Sequence, residues 1–360
     1  MTEPRDPDDQ VSKLHDRRPN VQAALTAYRR GYMPVPIRDN EKRPFGNRWH
    51  VKPDDWSENV IRGRFAAATE NGAHGVGLAC GEQSNGLIDV DLDHPLALAT
   101  SRAVLTPPTP MMTGRAGKPM SHYWYKVTGS IPPTRKYLMP DGSCIVELRS
   151  TRAQTVIPPT THPSGEAYRW EGEEWADPSE IDGRLLALKV ANIAVLSVLR
   201  EKWPSRGGRH DAYLALAGGM LRYGRDGVHP YWNNQKLGIT PFEILLRNLA
   251  EITHDEEAGS RIGEVLGTTL ARIEQGEPAV GFPTLAEMIG ADHAERARRF
   301  VREMENLAGF RPEDYDTVEI TPEEPIETES PVEYNPILTR EDTWEPVSYT
   351  HLTLPTILRV

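Results

Sequence analysis

Cysteine is scarce. Cys80 and Cys144 are the only two in 360 residues, which leaves no disulfide framework and no Cys-rich zinc site. That usage fits a reducing, cytoplasmic setting. No apolar run approaches the ~20 residues a membrane-spanning helix needs. The opening "MTEPRDPDDQVSKLHDRR" lacks the apolar core of a secretion signal, so no membrane partner is expected. No G-x-x-x-x-G-K-[ST] occurs, and with it goes a P-loop ATPase within this chain. There is no internal repeat. What is there, 38% hydrophobic and 26% charged residues, suits a soluble chain with room for two or three domains.

The net charge of −11 argues against a polyanionic partner only until it is located. Between Pro312 and Pro346 stand twelve Asp and Glu against one Arg, Arg340, which accounts for the whole excess. The rest is close to neutral and can carry local basic grooves. The acidic stretch, "EEPIETESPVEYNP" within it, reads as a disordered linker over 312–347.

Residues 1–18 are polar and predicted disordered. "NVQAALTAYRRGY" then spaces Val21, Ala24, Leu25 and Tyr28 as a helix does. "MPVPI", "GVGLA", "SHYWYKV", "CIVELR" and "QTVIPP" read as strands, bounded by turn signals such as "DGS" and "HPSGE". A helix is predicted near 54–66. From about 180 the period changes: four segments from "EIDGRLLALKVANIAVLSVLREKW" to "EEAGSRIGEVLGTTLARIEQG" are helical. The expected architecture is α+β, a mixed α/β unit over 19–178 followed by an all-α unit over 179–311.

One strand is unusual. "GLIDVDLDHP" interleaves apolar Leu87, Ile88 and Val90 with acids at Asp89, Asp91 and Asp93. Alternate strand residues share a face, so Asp89 and Asp91 present paired carboxylates, hard oxygen ligands of the kind Mg²⁺ and Mn²⁺ take. Two such ions can activate an attacking hydroxyl and stabilise a leaving pyrophosphate. Alone, an Asp-x-Asp pair is better explained as a solvated strand end. Asp93, before His94-Pro95, reads as a turn or helix cap.

The order of the downstream segments changes that balance. The acidic strand is succeeded by "PPTPMMTGRAGKPMSHYWYKV" and then by "CIVELRSTRAQTVIPPTTHPSGEAYRW". Over residues 20–176 this resembles the primase–polymerase domain of the archaeo-eukaryotic primase superfamily, found in phage and plasmid replication proteins. The family pattern is a strand with Asp-x-Asp, a later strand carrying His, a strand with a third acid, and a closing PPS-x-H-x-SG-x-x-Y-x-W-like run. Here Asp89 and Asp91, His122, Glu147 and "PPTTHPSGEAYRW" match it. "YRRGYMPVPI" and "KRPFGNRW" fit the upstream part.

The resemblance implies an RRM-like catalytic core and a DNA primase/polymerase. Such an enzyme makes primers on single-stranded DNA from NTPs or dNTPs, using two Mg²⁺ or Mn²⁺ ions. Asp89, Asp91 and Glu147 are then metal ligands, and His122 contacts the triphosphate. Arg149 shares the Glu147 face and can pair with phosphate, while Arg115 and Lys118, in "TGRAGKP", suit phosphate or template backbone. Glu147 stands where the family usually has Asp, and the stretch before His122 is longer than the compact Gly-Gly-x-His form. Two other functions fit the same residues: a non-catalytic replication initiator that keeps the fold, and a metal nuclease that needs no triphosphate pocket.

Plainer readings exist beside each of these. Glu147 and Arg149 make an ordinary exposed strand pair, and a lone His122 beside Tyr123 and Trp124 is commonly a packed histidine. His162 reads as part of a turn, Tyr168 and Trp170 as core in preference to base-stacking platforms, and Lys42 as a solvated loop lysine in preference to a contact for nucleotide or template. In the helical half, Arg206, Arg209 and His210 suit phosphate contact or helix-start chemistry equally well. "FPTLAEMIGADHAERARRFVREMENL" resembles a small helix-turn-helix appendix. "SYTHLTLPTILRV" (348–360) resembles translated sequencing-adapter read-through, which implies a non-native tail. In proteins of this kind a helicase or ATPase domain often follows such a linker.

Overall fold

The computed structural model describes residues 18–52, 54–223, 227–235 and 239–309. The predicted acidic linker and tail, and all but the last residue of the predicted N-terminal segment, lie outside them. The architecture is mixed α+β, with antiparallel sheets in the first half and helices in the second.

Helix α1 (Pro19–Arg29) opens on a proline, whose missing N–H costs nothing at a helix start. It buries Val21, Ala24 and Leu25, the face its spacing predicts. Strand β1 (Met33–Ile37) follows, then α2 (Glu58–Glu70), where the Ser57 side chain accepts the Val60 N–H as N-cap. Strand β2 (Gly75–Ala79) pairs antiparallel with β1 and with β8 (Gln154–Ile157), forming a three-stranded sheet.

The larger sheet is built around β3 (Leu87–Leu92), the acidic strand. It lies between β5 (Lys118–Thr128) and β7 (Cys144–Arg149), antiparallel to both. β4 (Met112–Arg115) and β6 (Arg135–Leu138) extend the sheet on the two sides, and β9 (Arg169–Trp170) pairs with β4. β10 (Ser179–Asp182) runs parallel to the end of β5 that β4 does not reach.

The alternation along β3 settles which face does what. Ile88, Val90 and Leu92 point into a core shared with the helical half, whereas Leu87 joins Val76, Leu78, Trp124 and Ile157 in a second core against the small sheet. Asp89 and Asp91 lie on that second face. Six strand residues are therefore buried on both sides, and the carboxylates are interior groups, not a solvated strand end.

After β3, α3 (Pro95–Val104) packs on the sheet. Helix α4 (Gly183–Lys202) is capped by Asp182, which accepts the Leu185 N–H at 2.9 Å. It is buried on most sides, between α3, the sheet and α9 (Ala291–Ala308), which explains why its sequence is apolar almost all round. Helices α5 (Arg209–Leu221), α6 (Pro241–Ile252), α7 (Ala258–Glu274) and α8 (Phe282–Ile289) complete this half. Arg209, at the start of α5, ties that start to the end of α6: its guanidinium donates to the Thr253, His254 and Pro204 carbonyls. The turn between α8 and α9 is made by Gly290, φ 88°, but α9 belongs to the main core through Ala297, Phe300 and Val301.

Candidate active site

Strand register brings the predicted residues together. Asp91 is opposite His122 on β5 and Glu147 on β7, so the three form one row across the sheet. One step along, Asp89 is opposite Trp124 and Arg149. Residues far apart in the sequence thus share one face because β3 is central and both neighbours are antiparallel to it.

Asp91 is 3% exposed. Its Oδ2 lies 2.6 Å from the Arg149 Nη2, while its buried Oδ1 accepts no hydrogen bond. The Lys118 ammonium and His122 Nδ1 stand 3.5 and 3.6 Å from that oxygen. Burial alone would raise the Asp91 pKa, but the charges of His122, Arg149, Lys118 and Lys42 outweigh it and hold the group down at about 2. Arg149 is fixed on three sides, donating also to Glu147 Oε2 at 3.2 Å and to Thr155 Oγ1 at 3.3 Å.

Asp89 is wholly buried and engaged differently. Its Oδ2 accepts from Thr155 Oγ1 at 2.7 Å and meets His122 Nδ1 at 2.9 Å. Burial works against charge on His122, yet the Asp91 and Asp89 carboxylates prevail and raise its pKa above the ordinary histidine value. With Nδ1 committed to Asp89, Nε2 is the nitrogen left to a ligand in the cavity that His122 lines.

Asp93 departs from the helix-cap reading. His94 caps α3 instead, its Nδ1 accepting the Leu96 N–H. The Asp93 N–H is spent on the Ile145 carbonyl, and its carboxylate is 2.6 Å from Lys118 Nζ. Oxygens of Asp91, Asp93 and Glu147 lie within 4.8 Å of one another. This donor set is all carboxylate, and one oxygen of Asp91 is buried with no hydrogen bond to satisfy it, so the set fits a hard divalent cation. Asp89 is not among the three. The signal for Asp93 was its own i+2 spacing, which continues the face of Asp89 and Asp91 past the end of the strand.

A cavity of about 410 Å³ opens beside the row, lined among others by Lys42, Trp49, His122, Glu147, Arg149 and Tyr168. Lys42 thus reaches the cavity instead of standing in solvent, and Tyr168 is a core residue, as its sequence suggests, that also lines the cavity. Tyr168 sits between two imidazoles, 6.4 Å from the His122 ring and 5.9 Å from that of His162. Trp170 packs on Trp175, and His162 does build a turn, accepting the Ser164 N–H. Arg115 is not among the acids: its guanidinium is paired with Glu166. A hollow of about 480 Å³ against α6 and α7, lined by Arg247, Glu251 and His254, contains none of the predicted residues.

A row of buried carboxylates flanked by histidine, arginine and lysine beside an open cavity is suited to a cation and a polyphosphate held together. No protein of curated function matches the chain in sequence. Residues 24–183 match a family model, Prim-Pol, described as bifunctional DNA primase/polymerase, N-terminal.

Proposed function

We propose, for a chain whose residues 24–183 belong to the Prim-Pol family of DNA primase/polymerase nucleotidyltransferases, that it synthesises primers on single-stranded DNA and serves the replication of a phage, plasmid or other mobile element. The observation that carries the reading is the row His122–Asp91–Glu147, with Asp93 completing three carboxylates beside the cavity.

In this reading Asp91, Asp93 and Glu147 hold Mg²⁺ or Mn²⁺, and the free Oδ1 of Asp89 is available to a second ion. When bound, the ions supply activation of the attacking hydroxyl and neutralisation of the departing pyrophosphate. The remaining work belongs to the chain. His122, oriented by Asp89 and with its pKa raised by the two carboxylates, donates from Nε2 to a phosphate oxygen of the incoming nucleotide. Arg149 stays charged and lends a fixed positive wall, and Lys42 adds a second cation at the rim. The growing strand's hydroxyl forms the new P–O bond at the α-phosphorus as the bond to pyrophosphate breaks, so positioning and charge compensation are the main tasks.

The test is primer synthesis by the full chain on single-stranded DNA with Mg²⁺ or Mn²⁺ and either NTPs or dNTPs. Metal-dependent products that vanish in Asp91→Asn support the reading and reveal the sugar preference. Template binding without products, under every metal and nucleotide tried, would replace it with the non-catalytic initiator.

A further inference from the structure

The β4–β5 hairpin and the turn at 162–166 meet in a cluster of donors that the mechanism above does not use. The Glu166 carboxylate is received by the Gly117 backbone N–H on Oε1, and by the Arg115 guanidinium and the Ser164 hydroxyl on Oε2. Backbone N–H, guanidinium and hydroxyl converging on two oxygens is the donor set that binds a phosphate group. The Gly117 hydrogen bond, with Ser164 and Arg115, holds the Glu166 carboxyl below its ordinary pKa, as expected of an anion in a made-to-measure place.

Two further observations give this cluster the character of a site. A Cβ at Gly117 would fall 2.9 Å from Glu166 Oε1 and 3.1 Å from Arg115 Nη1, so a side chain there would fill the cradle. Its location is the second. His162, in the same turn, packs on Tyr168, whose ring also lies 6.4 Å from that of His122, and His162 feels the charges of Lys42, Arg115 and Lys118. The cradle is therefore joined through His162 to Tyr168, which lines the cavity of the acidic row. Gly117 and Ser164 are exposed, and the Arg115 and Glu166 side chains keep 22% and 27% of their surface, so a ligand can reach them.

We propose that Arg115, the Gly117 N–H and Ser164 form a phosphate-binding cradle that Glu166 occupies as an internal stand-in. A phosphate of the substrate displaces that carboxylate. The choice of phosphate as ligand rests on the primase/polymerase reading. Its source is either the triphosphate of the incoming nucleotide or the backbone of the nucleic acid, and Glu166 sets a threshold that the correct ligand must overcome.

The experiment compares wild type with Glu166→Ala in the full chain. The probes are a nucleoside triphosphate with a non-hydrolysable α–β linkage, titrated calorimetrically with Mg²⁺, and a fluorescent oligo-dT followed by anisotropy. Removing the competing carboxylate should tighten one probe about tenfold, the worth of one charge-assisted hydrogen bond. Tightening of the triphosphate alone assigns the cradle to the nucleotide, and tightening of oligo-dT alone assigns it to the strand. Adding Arg115→Ala should erase the gain. Glu171→Gln is the control, since Glu171 bonds the Met120 N–H of the same hairpin and lies outside the cradle.

An equal gain in that control, or no gain for either probe, overturns the proposal and leaves Glu166 as a pin between two loops. Should Glu166→Ala fail to fold, Glu166→Gln is read the same way. Primer synthesis by wild type is scored separately. A gain in affinity without any synthesis would keep the cradle and reject the polymerase, while synthesis without the gain would do the reverse.

Discussion

His122 Nδ1 and Asp89 Oδ2 lie 2.9 Å apart on neighbouring strands, one member exposed by only 7% and the other not at all. One oxygen of the first acid of the Asp-x-Asp pair is thus given to a histidine, and the three carboxylates that cluster are Asp91, Asp93 and Glu147.

This division separates the acids by experiment. Asp91→Asn should abolish Mn²⁺ binding, and Asp93→Asn should weaken it by about tenfold or more. Asp89→Asn should cost less in metal affinity, raise KM for the nucleotide and shift the pH profile of synthesis. Calorimetric Mn²⁺ titration of the three variants checks the ranking, and a larger metal loss for Asp89→Asn than for Asp93→Asn would reverse the assignment.

His122 should also make stability depend on pH. Its pKa is raised in the folded protein, so the contribution is complete below the unfolded value of about 6.5 and disappears as pH rises through the folded value. With chelator present, the Tm difference between wild type and His122→Gln should shrink as pH rises above about 6.5. A difference that grows with pH would mean that His122 is buried neutral.

Lys118 places its ammonium 2.6 Å from Asp93 and 3.5 Å from Asp91, the position a cation bound by those acids would contest. Lys118→Ala should lower the Tm of the metal-free protein, because unshielded carboxylates repel, and should tighten Mn²⁺ binding. Thermal melts with chelator and with Mn²⁺ read both effects. Weaker Mn²⁺ binding in the variant would contradict the competition.

The helical half offers a test remote from the acids. A Cβ on Gly218 of α5 would lie 1.8 Å from the Val280 carbonyl oxygen, a contact that only backbone movement relieves. Gly218→Ala should destabilise by about 1–3 kcal/mol while Mn²⁺ affinity is kept. Urea melts measure the loss. An unchanged midpoint would show that the approach of α5 to the segment before α8 is looser than this.

Much of the arrangement was legible in the chain. The i+2 acids of β3, the β-branched strands around them and the change to helical period near 180 follow from side-chain geometry within one element, where spacing dictates which groups share a face. The ordered set from Asp89 to "PPTTHPSGEAYRW" carried the family. Asp93 was misread because His94-Pro95 looks like the start of a helix, and it is. The cap, however, is His94, and Asp93 is left facing Lys118.

What the chain alone determined was therefore local: elements, faces and the chemistry available on each. Tertiary structure decided the partners. Only the register of β5 and β7 against β3 puts His122 and Glu147 beside Asp91. Only the meeting of two loops turns Arg115 from the acids to Glu166. A flexible cation such as Lys42 can reach several places, and nothing in its neighbours along the chain says which. Its place at the cavity is fixed by long-range packing, where sequence distance carries no information about contact.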